Sequence, residues 1–314
     1  MKNIALLFPG QGSQYPGMGK ELYDNYPKAR EILDSINRIA GFDLLKVIFE
    51  GPEETLKQTQ YTQPAIFAVT MAAFKVFEEK FVLDKASVLG AGHSLGEYSA
   101  LCAGGVFSFA DGLKLVKKRG EFIQKASEDN PGAMAAIIGL DNSVVDGICK
   151  KASEKGVCEP VNFNSPGQIV VAGSVDAVKL AVELAQASGA TKALMLNVSG
   201  PFHSSLMKPA SLMMQEELKN YRLQDPGFKI FSNCDAKPAQ AGAEIAQKLV
   251  RQISSPVLWE GTIRNMIASG AEVFIEIGPQ RVLSGLLRRI DKTKKTLNIE
   301  DMKSLNKTIE EIGK

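Results

Sequence analysis

Histidine is scarce in this chain. Its 314 residues include two, His93 and His203, so chemistry that needs an imidazole must use one of them. Cysteine is also sparse. Cys102, Cys149, Cys158 and Cys234 are scattered with no C-x-x-C pair. That pattern disfavours a zinc site and fits buried free thiols in a reducing cytoplasm. Neither sign of charge is in excess: Lys plus Arg is 37, Asp plus Glu is 35, and the net charge is +2. Bulk composition therefore gives no reason to expect nucleic acid as a partner. No apolar run approaches a membrane span. The run IALLF after Asn3 is closed by Pro9 and Gly10. It is too short for a secretory signal and reads as a buried first strand. Repeats and low-complexity tracts are missing too. A cytoplasmic protein with no membrane or nucleic-acid role is expected.

What is present is alternation. A strand at 4–8 leads into a glycine-rich loop, and helices are predicted at 20–39 and 64–81. A strand at 87–91 feeds a helix at 95–103, and another helix covers 108–125, with Ser108 and Asp111 as an N-cap pair. Strand, turn and helix in repetition predict an α/β domain with a mainly parallel sheet. The middle third differs. Strands at 133–138, 157–163, 168–172 and 193–198, with helices at 141–153 and 175–187, give the order β-α-β-β-α-β of a ferredoxin-like unit. Asn130-Pro131-Gly132 and Gly200-Pro201 mark its joints. The expectation is a large domain of residues 1–127 and 200–314 with a small domain, 128–199, inserted. Strands at 229–232 and 273–277 and a charged terminal helix at 303–312 complete the large domain.

Gly92-His93-Ser94-Leu95-Gly96 fits G-x-S-x-G between a strand and a helix, the context a nucleophile elbow requires. Glycines on both sides leave room for a strained turn, and the helix N-terminus favours an oxyanion at the Leu95 N–H. A glycine turn with an N-cap serine fits the same letters. A serine nucleophile needs a base. His93 is adjacent to Ser94, and neighbours along a turn point apart. His203, in VSGPFHSSLMKP, is the better candidate, although a loop histidine can also be purely structural. No acid stands out as a third member; Asp225 and Asp235 are unsupported, and a main-chain carbonyl can orient the ring instead. Arg119 falls on the inward stripe of its helix, with Leu115, Val116, Phe122 and Ile123. A buried arginine is expected to have an anionic partner. The alternatives are an internal carboxylate, a guanidinium that snorkels out to water, or a substrate carboxylate gripped by the fork. The loop PGQGSQYPGMGKE fails as a phosphate-binding motif, since Gln14 and Glu21 occupy required positions. Its flexible main chain makes Gln11 a candidate second oxyanion donor.

These residues resemble the malonyl-CoA:acyl carrier protein transacylases of type II fatty acid synthesis and the acyltransferase domains of polyketide synthases. The resemblance runs through FPGQGSQ, YTQPA, GHSLGEYSA, KRG around Arg119, NFNSPGQIVVAG, GPFHSSLMKPA and SSPVLWE in that order. It implies an α/β-hydrolase-like large domain with a ferredoxin-like insertion. It also implies that Ser94 is acylated, that His203 is its base and that Arg119 binds the malonyl carboxylate. Main-chain N–H groups of Gln11 and Leu95 would form the oxyanion hole, and a carbonyl near Gln252 would hold His203. Asn162 and Asn164 match residues near the cleft, and Gln63 and Met134 are further candidate substrate contacts. Leu95 and Phe202 resemble malonyl rather than methylmalonyl selectors, because a phenyl ring beside the base leaves little room for an α-methyl.

The function implied is malonyl transfer from malonyl-CoA to the phosphopantetheine thiol of acyl carrier protein. No metal or redox cofactor is expected, and the enzyme is expected to be a monomer. The carrier is expected to be acidic, with Lys117, Lys118, Arg288, Arg289, Lys292, Lys294 and Lys295 as candidate docking charges. A polyketide-pathway acyltransferase would look the same. A serine hydrolase would share the elbow but leave Arg119 without a task. A non-catalytic carrier-protein-binding module would not need Ser94 and His203.

Overall fold

A computed structural model describes residues 3–313. Its strands are β1 (Ile4–Phe8), β2 (Val88–Gly92), β3 (Ala133–Ile138), β4 (Cys158–Ser165) and β5 (Gln168–Gly173). They continue with β6 (Lys192–Met195), β7 (Lys229–Phe231), β8 (Pro238–Ala239), β9 (Val273–Ile277) and β10 (Lys295–Ile299). Six of these form one sheet in the order β10-β9-β1-β2-β7-β8. All its pairings are parallel except that of β7 with β8. The apolar runs of β1 and β9 suit strands covered on both faces. Alternate side chains of β1 show this directly: Leu6 and Phe8 enter one core, Ala5 and Leu7 the other.

The larger core is organised by the helix Thr59–Lys80, which is buried around most of its circumference. The helix Phe109–Asp129 lies against it, with Gly120 at the crossing. A Cβ at Gly120 would stand 3.0 Å from the Thr59 carbonyl oxygen. The missing side chain thus lets the two helices approach closely, and it brings Arg119 beside Gln63.

The second sheet is antiparallel, in the order β4-β5-β3-β6. Helices Asn142–Ala152 and Val175–Ala187 cover one face, where Ala135 and Ile137 meet Val145, Ile148 and Val178. On the other face Met134, Val161 and Val170 pack with Leu196, Val198 and Phe202. The second sheet is tied to the segment before the helix Trp259–Ala268 at Val257. Its N–H donates to the Val161 oxygen at 2.8 Å, and its oxygen accepts from the Phe163 N–H at 3.0 Å.

Several elements depart from the sequence expectations, among them the short helices Leu44–Glu50 and Glu53–Leu56 and the strand β8, which have no counterpart there. The helix expected over 20–39 is two helices, Lys20–Asn25 and Pro27–Ala40. Pro27 forces Tyr26 into extended geometry and then starts the second helix at its first position. The helix expected to begin at residue 64 begins at Thr59, with Pro64 inside it. The carbonyl that loses its donor there, on Gln60, belongs to a partly exposed residue. The strand expected over 193–198 ends at Met195, where the Leu196 N–H turns to the Met134 oxygen. The edge strand β10 was not anticipated, because KTLNI lacks the apolar density of its neighbours.

Phe74 is 1% exposed and meets Phe8 edge to face at 6.1 Å between ring centroids. Phe74→Ala is expected to lower stability by about 3–5 kcal/mol, the usual effect of removing a fully buried phenyl ring. Urea denaturation checks this; a loss below about 1 kcal/mol would mean that the ring does not hold helix and sheet together.

Candidate active site

Between β2 and the helix Gly96–Ala103 the chain makes a turn centred on Ser94, whose φ is 52°. That left-handed conformation is unfavourable for a residue with a Cβ, by roughly 1–2 kcal/mol. The flanking glycines are sterically required. A Cβ on Gly92 would collide with the main chain of Gly96, and a Cβ on Gly96 with the carbonyl of Phe8. Asn233, just after β7, clamps the turn from outside. Its Oδ1 accepts from the Ser94 N–H at 2.6 Å, and its Nδ2 donates to the Gly92 oxygen at 2.7 Å.

The turn presents Ser94 Oγ 2.8 Å from His203 Nε2. His203 also has a positive φ, 64°, in the irregular segment after Pro201. Its Nδ1 lies 2.8 Å from the main-chain oxygen of Gln252, near the end of the helix Gly242–Ile253. A carbonyl can only accept, so Nδ1 carries the hydrogen and Nε2 is left as an acceptor for the Ser94 hydroxyl. Burial, reinforced by the charge of Arg119, lowers the His203 pKa to about 3. The ring is therefore neutral near pH 7 and ready to take a proton. Asp225 and Asp235 lie elsewhere: Asp225 accepts from the Gly242 N–H, and Asp235 pairs with Lys248 at 3.2 Å.

Arg119 is 1% exposed. Its Nη1 donates to Gln63 Oε1 at 2.8 Å, and its Nη2 donates to Gln252 Oε1 and to Ser94 Oγ, both at 3.0 Å. The guanidinium also lies over the Tyr98 ring, 5.5 Å from its centroid. The expected anionic partner is not in contact. Among the described residues Arg119 forms no ion pair, and neutral oxygens surround it instead. A buried cation held by amides at the wall of a cavity, touching a serine hydroxyl, is suited to receive a carboxylate.

That cavity is lined by Ser94, His203 and Arg119 together with Gln11, Gln63, Leu95, Met134, Asn162 and Phe202. The main-chain N–H groups of Gln11 and Leu95 donate to no acceptor among the described residues, which leaves both available to an oxyanion. Asn162 Oδ1 is buried with no hydrogen-bond partner among the described residues. Asn164 does not line the cavity; its Oδ1 lies 2.8 Å from His93 Nε2. His93 also borders the cavity, and its ring packs against Trp259 with centroids 5.4 Å apart. Gln252 stands behind the wall and reaches the site through Arg119 and His203.

The family model for the acyl transferase domain matches residues 5–313. The chain belongs to the acyl transferase family. A malonyl CoA-acyl carrier protein transacylase of Haemophilus influenzae is 44% identical over 98% of each chain. A protein of the same name from Bacillus subtilis is 43% identical over 99% of this chain and 97% of its own. Among solved structures, the acyl-carrier-protein-S-malonyltransferase of Bartonella henselae is 40% identical and superposes with a TM-score of 0.96, both chains fully covered. A malonyl-transacylase solved in complex with a holo type II PKS acyl-carrier protein is 41% identical, with a TM-score of 0.95 over 99% of this chain and 100% of that one.

Glu97, Tyr98 and Asn233 belong to this candidate site and are not among the residues expected from the sequence. Glu97 was legible in principle, since it is the one charge in the apolar helix GEYSALCA. Asn233 was not, because nothing in its neighbourhood marks it. The side chain of Gln252 also does more than its carbonyl suggested: its Nε2 donates to the Ser94 oxygen and to Glu97 Oε2, both at 2.8 Å.

The depressed His203 pKa has a consequence for stability. Between its ordinary 6.5 and about 3, the unfolded chain binds a proton that the folded protein refuses. The stabilisation is complete above about pH 6.5 and is lost as pH falls, by up to about 1.4 kcal/mol per pH unit. Urea denaturation of wild type and His203→Gln at pH 7 and pH 5 is expected to show the steeper loss in wild type. Equal losses would show that the ring is not held neutral.

Proposed function

We propose that this protein transfers a malonyl group from malonyl-CoA to the phosphopantetheine thiol of acyl carrier protein, through a malonyl ester on Ser94. The single observation that carries this reading is the position of Ser94 Oγ, within hydrogen-bond reach of both His203 Nε2 and Arg119 Nη2. One neighbour accepts the hydroxyl proton. The other is a cation placed for the far end of a short acyl group.

His203 Nε2 takes the proton as Oγ attacks the thioester carbonyl. The tetrahedral oxyanion faces the N–H groups of Gln11 and Leu95. The C–S bond breaks, the proton passes from His203 to the leaving thiolate, and CoA departs. Arg119 keeps the malonyl carboxylate in place. His203 then deprotonates the incoming pantetheine thiol, which attacks the ester, and Ser94 recovers its proton from His203. These residues need no metal or cofactor for either half-reaction. Phe202 at the cavity wall limits room beside the α-carbon, and Gln63, Met134 and Asn162 border the acyl and pantetheine path. The names of the relatives support this reading, as does the relative solved with a carrier protein.

We read the strand order β4-β5-β3-β6 as a ferredoxin-like insertion, residues 128–199, in an α/β-hydrolase-like unit of residues 1–127 and 200–314. For an acidic carrier, the docking charges are narrowed by pairing. Lys117 and Lys118 are engaged by Glu121, at 2.8 and 3.0 Å, and Lys295 by Glu311 at 2.6 Å. Arg288, Arg289, Lys292 and Lys294 form no ion pair among the described residues, and Arg289 reaches Gln168 of the second sheet at 2.6 Å. No helix is long and apolar enough to cross a membrane among the described residues, and a cytoplasmic location follows from the proposed pathway.

Intact-protein mass spectrometry tests the reading. Brief exposure to malonyl-CoA is expected to add one malonyl group to wild type and none to Ser94→Ala, and holo-acyl carrier protein is expected to remove it. His203→Ala is expected to slow acylation by about 10²–10⁴-fold, as a lost general base. Free malonate accumulating without transfer would make the protein a hydrolase instead.

A further inference from the structure

Beneath the nucleophile turn lies a carboxylate that takes no part in the steps above. Glu97 follows Ser94 by three residues and is 2% exposed. Burial pushes its carboxyl up from the usual range, while hydrogen bonds from the Asn233 N–H and the Gln252 amide pull it down. Its Oε2 accepts both, at 3.0 Å and 2.8 Å respectively. Each donor continues to a group at the reaction centre. Asn233 grips both ends of the turn, at Gly92 and at Ser94. Gln252 donates to the Ser94 oxygen and offers its own Oε1 to Arg119.

The direction of the Gln252 amide matters. An amide side chain has one donor end and one acceptor end. Glu97 and the Ser94 carbonyl both take hydrogens from Nε2, so Oε1 must face the guanidinium. With the amide reversed, its NH₂ would meet Arg119 donor against donor, and the bond holding Nη2 would be lost. Arg119 has no carboxylate in contact among the described residues, so its place depends on the two amide oxygens of Gln63 and Gln252.

We infer that Glu97 is a positioning residue for acyl selection: it locks the Gln252 amide with its oxygen toward Arg119 and so holds the guanidinium where it can receive the acyl carboxylate. This rests on the reading of Arg119 as the carboxylate-binding group. An anchor that served folding alone would affect every acyl group equally. This one acts through Arg119 and therefore affects acyl groups that carry a carboxylate more than those that do not.

The test compares kcat/KM for malonyl-CoA and acetyl-CoA, with holo-acyl carrier protein as acceptor, in wild type, Glu97→Ala, Glu97→Asp and Glu97→Gln. Urea denaturation verifies that each variant is folded. Glu97→Ala is expected to lower the malonyl-to-acetyl ratio about tenfold or more, the size of one charge-assisted hydrogen bond. Glu97→Asp keeps the carboxyl group but withdraws the acceptor by one methylene, so a smaller fall in the same ratio is expected. Glu97→Gln, which keeps an acceptor oxygen, is expected to lie between wild type and Glu97→Ala. If Glu97→Ala fails to fold, Glu97→Asp decides by the same ratio. Equal loss for both acyl groups in a folded variant would overturn this inference alone. Absence of a malonyl ester on wild-type Ser94 would overturn the site assignment and this inference with it.

Discussion

Burying a guanidinium away from water, with no carboxylate touching it, is costly unless its donors find acceptors. Much of the site follows from how Arg119 is accommodated. Gln63 comes from the central helix Thr59–Lys80, Gln252 from the end of Gly242–Ile253, and Tyr98 from the helix that follows the nucleophile. Arg119 itself is carried on Phe109–Asp129, which approaches the central helix closely because residue 120 is a glycine. Three of its donor contacts are satisfied by neutral oxygens, and the Nε hydrogen finds no acceptor among the described residues. The site therefore holds a cation whose charge is incompletely balanced at a point open to the cavity. The proposed chemistry uses that imbalance to recognise a carboxylate.

The same cation shapes the base. A positive charge beside His203 disfavours a second one on its ring, and burial acts in the same direction. A neutral imidazole with its Nδ1 hydrogen committed to the Gln252 carbonyl has one free acceptor, and that acceptor faces Ser94. Gln252 thus fixes the tautomer through its main chain and the arginine through its side chain. Both Ser94 and His203 are held at positive φ. Backbone strain of this kind persists only where surrounding contacts over-determine it. Here Asn233 and the close packing at Gly92 and Gly96 provide those contacts around Ser94.

Much of this was legible in the sequence, for physical reasons. The elbow was readable because its glycines are required by main-chain contacts, and such requirements leave a local pattern. His203 was readable by elimination, since the chain offers so few imidazoles. Arg119 stood out because helical periodicity placed a charge on an apolar stripe. What could not be read was the identity of its partners. Gln63 and Gln252 lie far from Arg119 along the chain, and periodicity says nothing about which helices meet. The β-α-β-β-α-β order was visible because turn residues separate those elements cleanly. The break at Pro27 and the strand β10 were missed for opposite reasons: an apolar pattern continued across the proline, and an edge strand needs little apolar pattern at all.

In the proposed reaction Arg119 recognises the acyl carboxylate. The most direct measurement is kcat/KM for malonyl-CoA and for acetyl-CoA in wild type and Arg119→Ala. Charge-assisted hydrogen bonds contribute roughly 1.5–3 kcal/mol each, so malonyl transfer should fall at least about tenfold more than acetyl transfer. Equal losses for the two acyl groups would contradict that role and reduce Arg119 to a structural support for the serine.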